Sequence, residues 1–168
     1  MVTDPPGSGV ARRYALLLSI AAVVVGLDQL TKQLALDSLD DGPVHLVHGV
    51  LSLRLTFNSG GAFGLLQGLP GVFLAATLAI VGLILLWTRR VEHKSWVVAL
   101  GLVVGGGLGN VADRLLRDLG GRVVDFVDLH VWPVFNLADA AIVSGVIVML
   151  IATSLPSKRP EEEKALTP

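Results

Sequence analysis

YALLLSIAAVVVGLDQLTKQLAL, from Tyr14 to Leu36, is the stretch that decides the fold. It exceeds the ~20 apolar residues needed to cross a ~30 Å hydrocarbon core. It also carries Asp28 and Lys32, one helical turn apart, where charge is costly. Three further runs have the same character: Pro70 to Trp87, Trp96 to Leu116, and Leu137 to Leu155. They are continuously apolar, whereas barrel strands are short and alternate, so helices are expected to make all four crossings. With 52% apolar and 16% charged residues and a mean hydropathy of +0.70, the chain is too apolar for a soluble domain. The expected architecture is an all-α polytopic membrane protein, four transmembrane helices with a small extracytoplasmic β element.

Outside the spans, LSLRLTF (Leu51 to Phe57) alternates Leu51, Leu53, Leu55 and Phe57 with Ser52, Arg54 and Thr56, the period of a strand. It leads into FNSGGAFG, whose Gly60, Gly61 and Gly64 permit a tight backbone path. The polar segments 1–13 and 156–168 read as disordered tails around one membrane domain, 14–155. Arg12 and Arg13 with the apolar run behind them resemble a secretory signal, but DQLTK continues the same helix and no small-residue cleavage pattern follows.

Charge orients the spans. Arg12 and Arg13, then Arg89, Arg90 and Lys94, then Lys158, Arg159 and Lys164 mark three segments as cytoplasmic, with both termini inside. The net charge of −1 gives no sign of a nucleic-acid partner, and there is no cysteine for thiol chemistry. On this topology Asp28, Lys32, Asn110, Asp113, Arg114, Asn136 and Asp139 fall at the outer ends of their spans, with Asn58 and Asp125 in the outer loops. Polar groups without a shared purpose have no reason to converge on one membrane face, so the convergence marks a site.

Structural roles are open to each of these residues. Asp28 with Lys32 suits a local ion pair, or Lys32 snorkels to the interface. Asp113 beside Arg114 suits a fixed ion pair, Asn136 or Asp139 a cap of the fourth helix, and Asp128 a solvated loop position. Gly105 to Gly109 suits close helix contact. His45, His48, His93 and His130 lack metal-ligand spacing, which argues against a zinc peptidase; Ser59 near Lys32 lacks the setting of a hydrolase nucleophile. A proton path or transporter needs polar groups at both depths, and the inner halves of the spans lack them. A scaffold has no need of the carboxylates.

Together the motifs DQLTK (Asp28–Lys32), NSGGAFG (Asn58–Gly64), GNVADR (Gly109–Arg114), VVDF (Val123–Phe126) and FNLAD (Phe135–Asp139) resemble the lipoprotein signal peptidase, or signal peptidase II, family. The resemblance implies an intramembrane aspartic endopeptidase of the bacterial inner membrane. Such enzymes remove signal peptides from prolipoproteins, cutting before a diacylglyceryl-modified cysteine. Carried over by motif, Asp125 and Asp139 are the catalytic pair. Asp28, Lys32, Asn58, Gly60, Ala62, Asn110, Asp113, Arg114, Asn136 and Ala138 support the site or line it. Gly61 stands where many members have alanine. No metal or organic cofactor is implied; the expected partners are lipid-modified prolipoproteins and membrane lipids, and the expected unit is a monomer.

Overall fold

The computed structural model describes residues 8–60 and 70–154. Four helices carry the apolar runs: α1 Ser8–Ser38, α2 Pro70–Thr88, α3 Lys94–Leu116 and α4 Leu137–Ser154. All four are long and apolar enough to cross a membrane. The first helix starts six residues ahead of the apolar run at Tyr14 and includes Arg12 and Arg13. At ~1.5 Å per residue it is about 46 Å long, enough to emerge from a ~30 Å core.

The third helix is the centre of the bundle, packed on α1, α2 and α4. Its glycines explain how. A Cβ on Gly105 would lie 2.7 Å from Val24 Cβ and 2.9 Å from Ala21 Cα, so only a bare backbone lets α1 and α3 come this close. Leu17, Ala21, Val81, Val97, Leu100 and Val104 fill the resulting seam. Leucines, valines and isoleucines on the outer faces of α1, α2 and α4, such as Leu18, Leu30, Leu83 and Leu150, are exposed, as lipid-facing side chains must be. At the basic end, Tyr14 Oη donates to the Leu85 carbonyl at 2.6 Å and ties α1 to α2.

At the opposite end sits a three-stranded antiparallel sheet, ordered β1 (Val44–Val47), β2 (Leu51–Asn58), β3 (Val123–Asp128). The alternation of Leu51 to Phe57 therefore marks a real strand. Its two partners were not evident, and Asn58 and Asp125, expected in loops, lie on β2 and β3. The register pairs Thr56 with Asp125 and Asn58 with Val123, which sets Asn58 diagonally beside Asp125.

Alternation misleads about which face is covered. Ser52 is almost fully buried while Phe57 is exposed, because the Ser52 hydroxyl bridges His45 Nδ1 at 2.8 Å and His130 Nε2 at 2.9 Å. Asp128, expected in solvent, is also covered. Its carboxylate accepts from Arg54 Nε at 2.9 Å and from the His130 N–H at 2.8 Å. The His130 N–H, assisted by Arg54, holds this carboxyl below the usual range.

Candidate active site

Five elements deliver the polar side chains to the sheet end of the bundle, β2 among them through Asn58. From α1 come Asp28, Gln29 and Lys32; from α3, Asn110, Asp113 and Arg114, with Arg117 capping its end; from β3, Asp125; and from the start of α4, Asn136 and Asp139. Ala62 falls outside the described residues.

Lys32 is fully buried and does not snorkel. Its Nζ lies 2.9 Å from Asp28 Oδ2, 2.9 Å from Asp113 Oδ2 and 2.9 Å from Asn110 Oδ1. The ion-pair reading of Asp28 and Lys32 is right, but Asp113 does not pair with Arg114. Adjacent helical residues point in different directions, whereas positions four apart share a face. Asp113 Oδ1 accordingly meets Arg117 Nε at 3.1 Å, and Gln29 Nε2 donates to the same oxygen at 2.8 Å. Asp113 Oδ2 also accepts from the Val124 N–H at 2.9 Å, which anchors β3 to α3. Asp28 Oδ1 accepts from the Ala138 N–H at 3.0 Å, which docks the first turn of α4. Gly109 makes room for that carboxylate; a Cβ there would lie 2.6 Å from Asp28 Oδ2.

Asp125 and Asp139 have a different setting. Asn58 Nδ2 donates to Asp125 Oδ2 at 3.0 Å, and Asn136 Nδ2 to Asp125 Oδ1 at 2.6 Å. Asn110 Nδ2 donates to Asp139 Oδ1 at 2.9 Å, and the Asn136 N–H to Asp139 Oδ2 at 3.2 Å. Asn136 thus touches both carboxyls. Its own Oδ1 accepts from the Asp139 N–H at 2.9 Å, completing a reciprocal cap of α4. Capping and membership of the site are therefore one arrangement. Asp125 is almost fully buried, whereas Asp139 is half-buried. Burial, reinforced by the charge of Asp139, pushes the Asp125 carboxyl up to about 7.

Arg114 reaches toward β2, with Nη2 donating to the Gly60 carbonyl at 3.2 Å and the guanidinium 5.8 Å from the Phe73 ring centre. Gly60 is held from the other side, because its N–H donates to Asn58 Oδ1 at 2.9 Å. Among the described residues no cluster of histidine, cysteine and acid groups is arranged to hold a metal. Gln29, within DQLTK but not singled out there, and Arg117, beyond GNVADR, are site residues that the sequence reading misses. The spacing of four between Asp113 and Arg117 was the available signal for the second.

The family model of signal peptidase (SPase) II matches residues 20–155. The chain belongs to the signal peptidase II family. Similar members include the lipoprotein signal peptidase of Rhodococcus jostii, 40% identical over 89% of this chain and 77% of the relative. That of Mycobacterium avium is 41% identical over 90% of this chain and 88% of its own. A solved bacterial membrane enzyme superposes with a TM-score of 0.76 at 30% identity, over 85% of this chain and 92% of that one. This signal peptidase II family member is thus a multi-pass membrane protease with its polar network at one end of the bundle.

Proposed function

We propose that this peptidase is an aspartic endopeptidase that removes the signal peptide from diacylglyceryl-modified prolipoproteins, cutting before the lipidated cysteine. The observation that carries the aspartic reading is the joining of Asp125 and Asp139 through Asn136, where the donors found among the described residues are amides and a backbone N–H. The curated relatives bear the name lipoprotein signal peptidase, which supplies the substrate class.

Two carboxyls sharing such a site favour one proton between them. The ionised member takes a proton from water as its oxygen attacks the scissile carbonyl. The protonated member hydrogen-bonds the carbonyl oxygen and stabilises the developing negative charge. When the tetrahedral carbon collapses, the C–N bond breaks and a carboxyl proton passes to the leaving amine. Water has then been added across the peptide bond without a covalent enzyme intermediate.

Orientation follows from Arg12, Arg13, Arg89, Arg90 and Lys94, which lie at the end of the bundle away from the aspartates. The positive-inside rule puts that end in the cytoplasm and the aspartates near the outer face. There a substrate's apolar segment can lie along the helices while its lipidated cysteine stays at the interface. The test is cleavage by purified protein of one precursor with and without the diacylglyceryl group. Cleavage of the lipidated form alone is expected, and equal rates on both would overturn the substrate assignment.

A further inference from the structure

The hydrogen bonds at Asn110 fix which way its amide faces. Its Oδ1 accepts from Lys32 Nζ at 2.9 Å and from Asn136 Nδ2 at 3.1 Å, so its NH2 is turned to Asp139 Oδ1 at 2.9 Å. A carboxylate receives that NH2 readily. Were the amide reversed, Asp139 would need a proton to bond the Asn110 oxygen.

The surrounding charges agree. On α1 the groups facing this region are Asp28 and Lys32; on α3, Asp113, Arg114 and Arg117; on β3, Asp125; and on α4, Asp139. The segment Pro70–Thr88 of α2 has no titratable residue, and on β2 Arg54 is engaged with Asp128. Among the described residues three cations therefore face four carboxyls; with Asp28 and Asp113 counted as the anions of the Lys32 and Arg117 pairs, a single charge on the Asp125–Asp139 pair matches Arg114. Two features favour Asp139 as its holder. It lies in the first turn of α4, where the helix dipole stabilises an anion, and it is less buried than Asp125 on its strand.

We propose that Lys32 is a positioning residue for the reaction: through Asn110 it keeps Asp139 as the ionised base and leaves the proton of the pair on Asp125. Lys32 touches neither carboxyl of the pair by any hydrogen bond above; its charge at a distance also favours the ionised form of Asp125, so the preference for Asp139 comes through the amide it orients. The inference rests on the assignment of Asp125 and Asp139 as the reacting groups.

The test is the pH dependence of kcat on a lipidated precursor for the wild-type chain, Lys32→Met, Lys32→Arg and the double variant Asp28→Asn/Lys32→Met. The double variant leaves no member of the Asp28–Lys32 pair charged, so it remains informative should Lys32→Met fail to fold. The acidic limb of the profile reports formation of the ionised base. In Lys32→Met it is expected to move up by a unit or more, a loss of about tenfold or more on that limb that higher pH partly restores. The double variant should move it in the same direction, and Lys32→Arg should keep it near the wild-type position. A folded Lys32→Met or double variant with the wild-type acidic limb, its rate lower by one factor at every pH, would reduce Lys32 to structural support and overturn the inference. Asp125→Asn and Asp139→Asn run alongside: turnover by either would break the reading of the pair, whereas their inactivity with an unmoved limb in the Lys32 variants would break the positioning role alone.

Discussion

Two pairs of aspartates lie at the same end of this bundle and are treated in opposite ways. Asp28 and Asp113 share Lys32, and Asp113 has Arg117 in addition; both also accept backbone N–H groups that hold α4 and β3 in place. Among the described residues, Asp125 and Asp139 receive no direct salt bridge and are bonded by asparagine amides and a backbone N–H. A carboxylate tied to cations and to backbone N–H groups is built into the scaffold and suits architecture. One held by neutral donors keeps a proton within reach, which is what acid–base work needs. Under the proposed function, partner type separates support from chemistry among four buried or half-buried acids.

The largest effect that tests this contrast is on turnover. Asp125→Asn and Asp139→Asn should each cut cleavage of a lipidated precursor by roughly 10²–10⁴-fold or more while the protein stays folded, because an amide keeps the shape but cannot exchange the proton. The double variant should be little worse than either single one, since the two act as a unit. Substantial activity in a folded single variant would dissolve the distinction.

Next in size is stability. Asp113→Ala should cost about 3–5 kcal/mol, because it strips Lys32 and Arg117 of an anion and the Val124 N–H of its acceptor. Thermal unfolding in detergent is the measurement. An Asp113→Ala protein with wild-type stability and no activity would move Asp113 across to the chemical pair.

A third effect is graded by pH. With the Asp125 carboxyl pushed up to about 7, its protonated form is lost as pH rises through that value, and kcat should fall about tenfold per unit beyond it. The same shift has a stability sign. Between the ordinary value of 3.8 and about 7 the folded protein holds a proton that the unfolded chain releases, so folding weakens as pH rises across that window. Asp125→Asn should remove that part of the slope. A slope unchanged in the variant would show that Asp125 titrates like a solvated carboxyl.

The smallest effect is expected at Asp128, an acid with a cation but outside the network. Its partner Arg54 has half of its side chain in solvent, and Arg54→Ala should cost less than ~1 kcal/mol and leave cleavage intact. A cost comparable with that of Asp113→Ala would mean that pairing itself, and not burial of the pair, sets the energetics.

Much of this arrangement is legible in the sequence, and the parts that are not share a cause. The four spans stand out because the hydrocarbon imposes a length and a composition on each. Asn136 and Asp139 sit at the three-residue spacing of a helix cap, and motif resemblance adds their pairing with Asp125. Chain adjacency to Arg114 does not give the partner of Asp113: its cations are Lys32 from another helix and Arg117 one turn on. The strand holding Asp125 was hidden because aspartate is a poor strand former and the partner strand lies more than sixty residues away. Ser52 shows the same limit: alternation turns it to water, but histidines from either side of the sheet cover it. Local pattern gives elements, and polar partners drawn from distant segments decide which face is inside.

The bond from the Ala138 N–H to Asp28 carries a consequence for the making of the protein. It joins positions 110 residues apart, and the amide that touches both Asp125 and Asp139 belongs to the same late segment. While the chain is being synthesised, Asp28, Lys32, Asp113 and Asp125 all leave the ribosome before Asn136 does. A partly inserted chain can therefore assemble the cation cluster but has neither Asp139 nor the amide that joins the pair. On the proposed reading of the pair, the order of translation acts as a safety catch, and the protease is disarmed until its last helix is in the membrane.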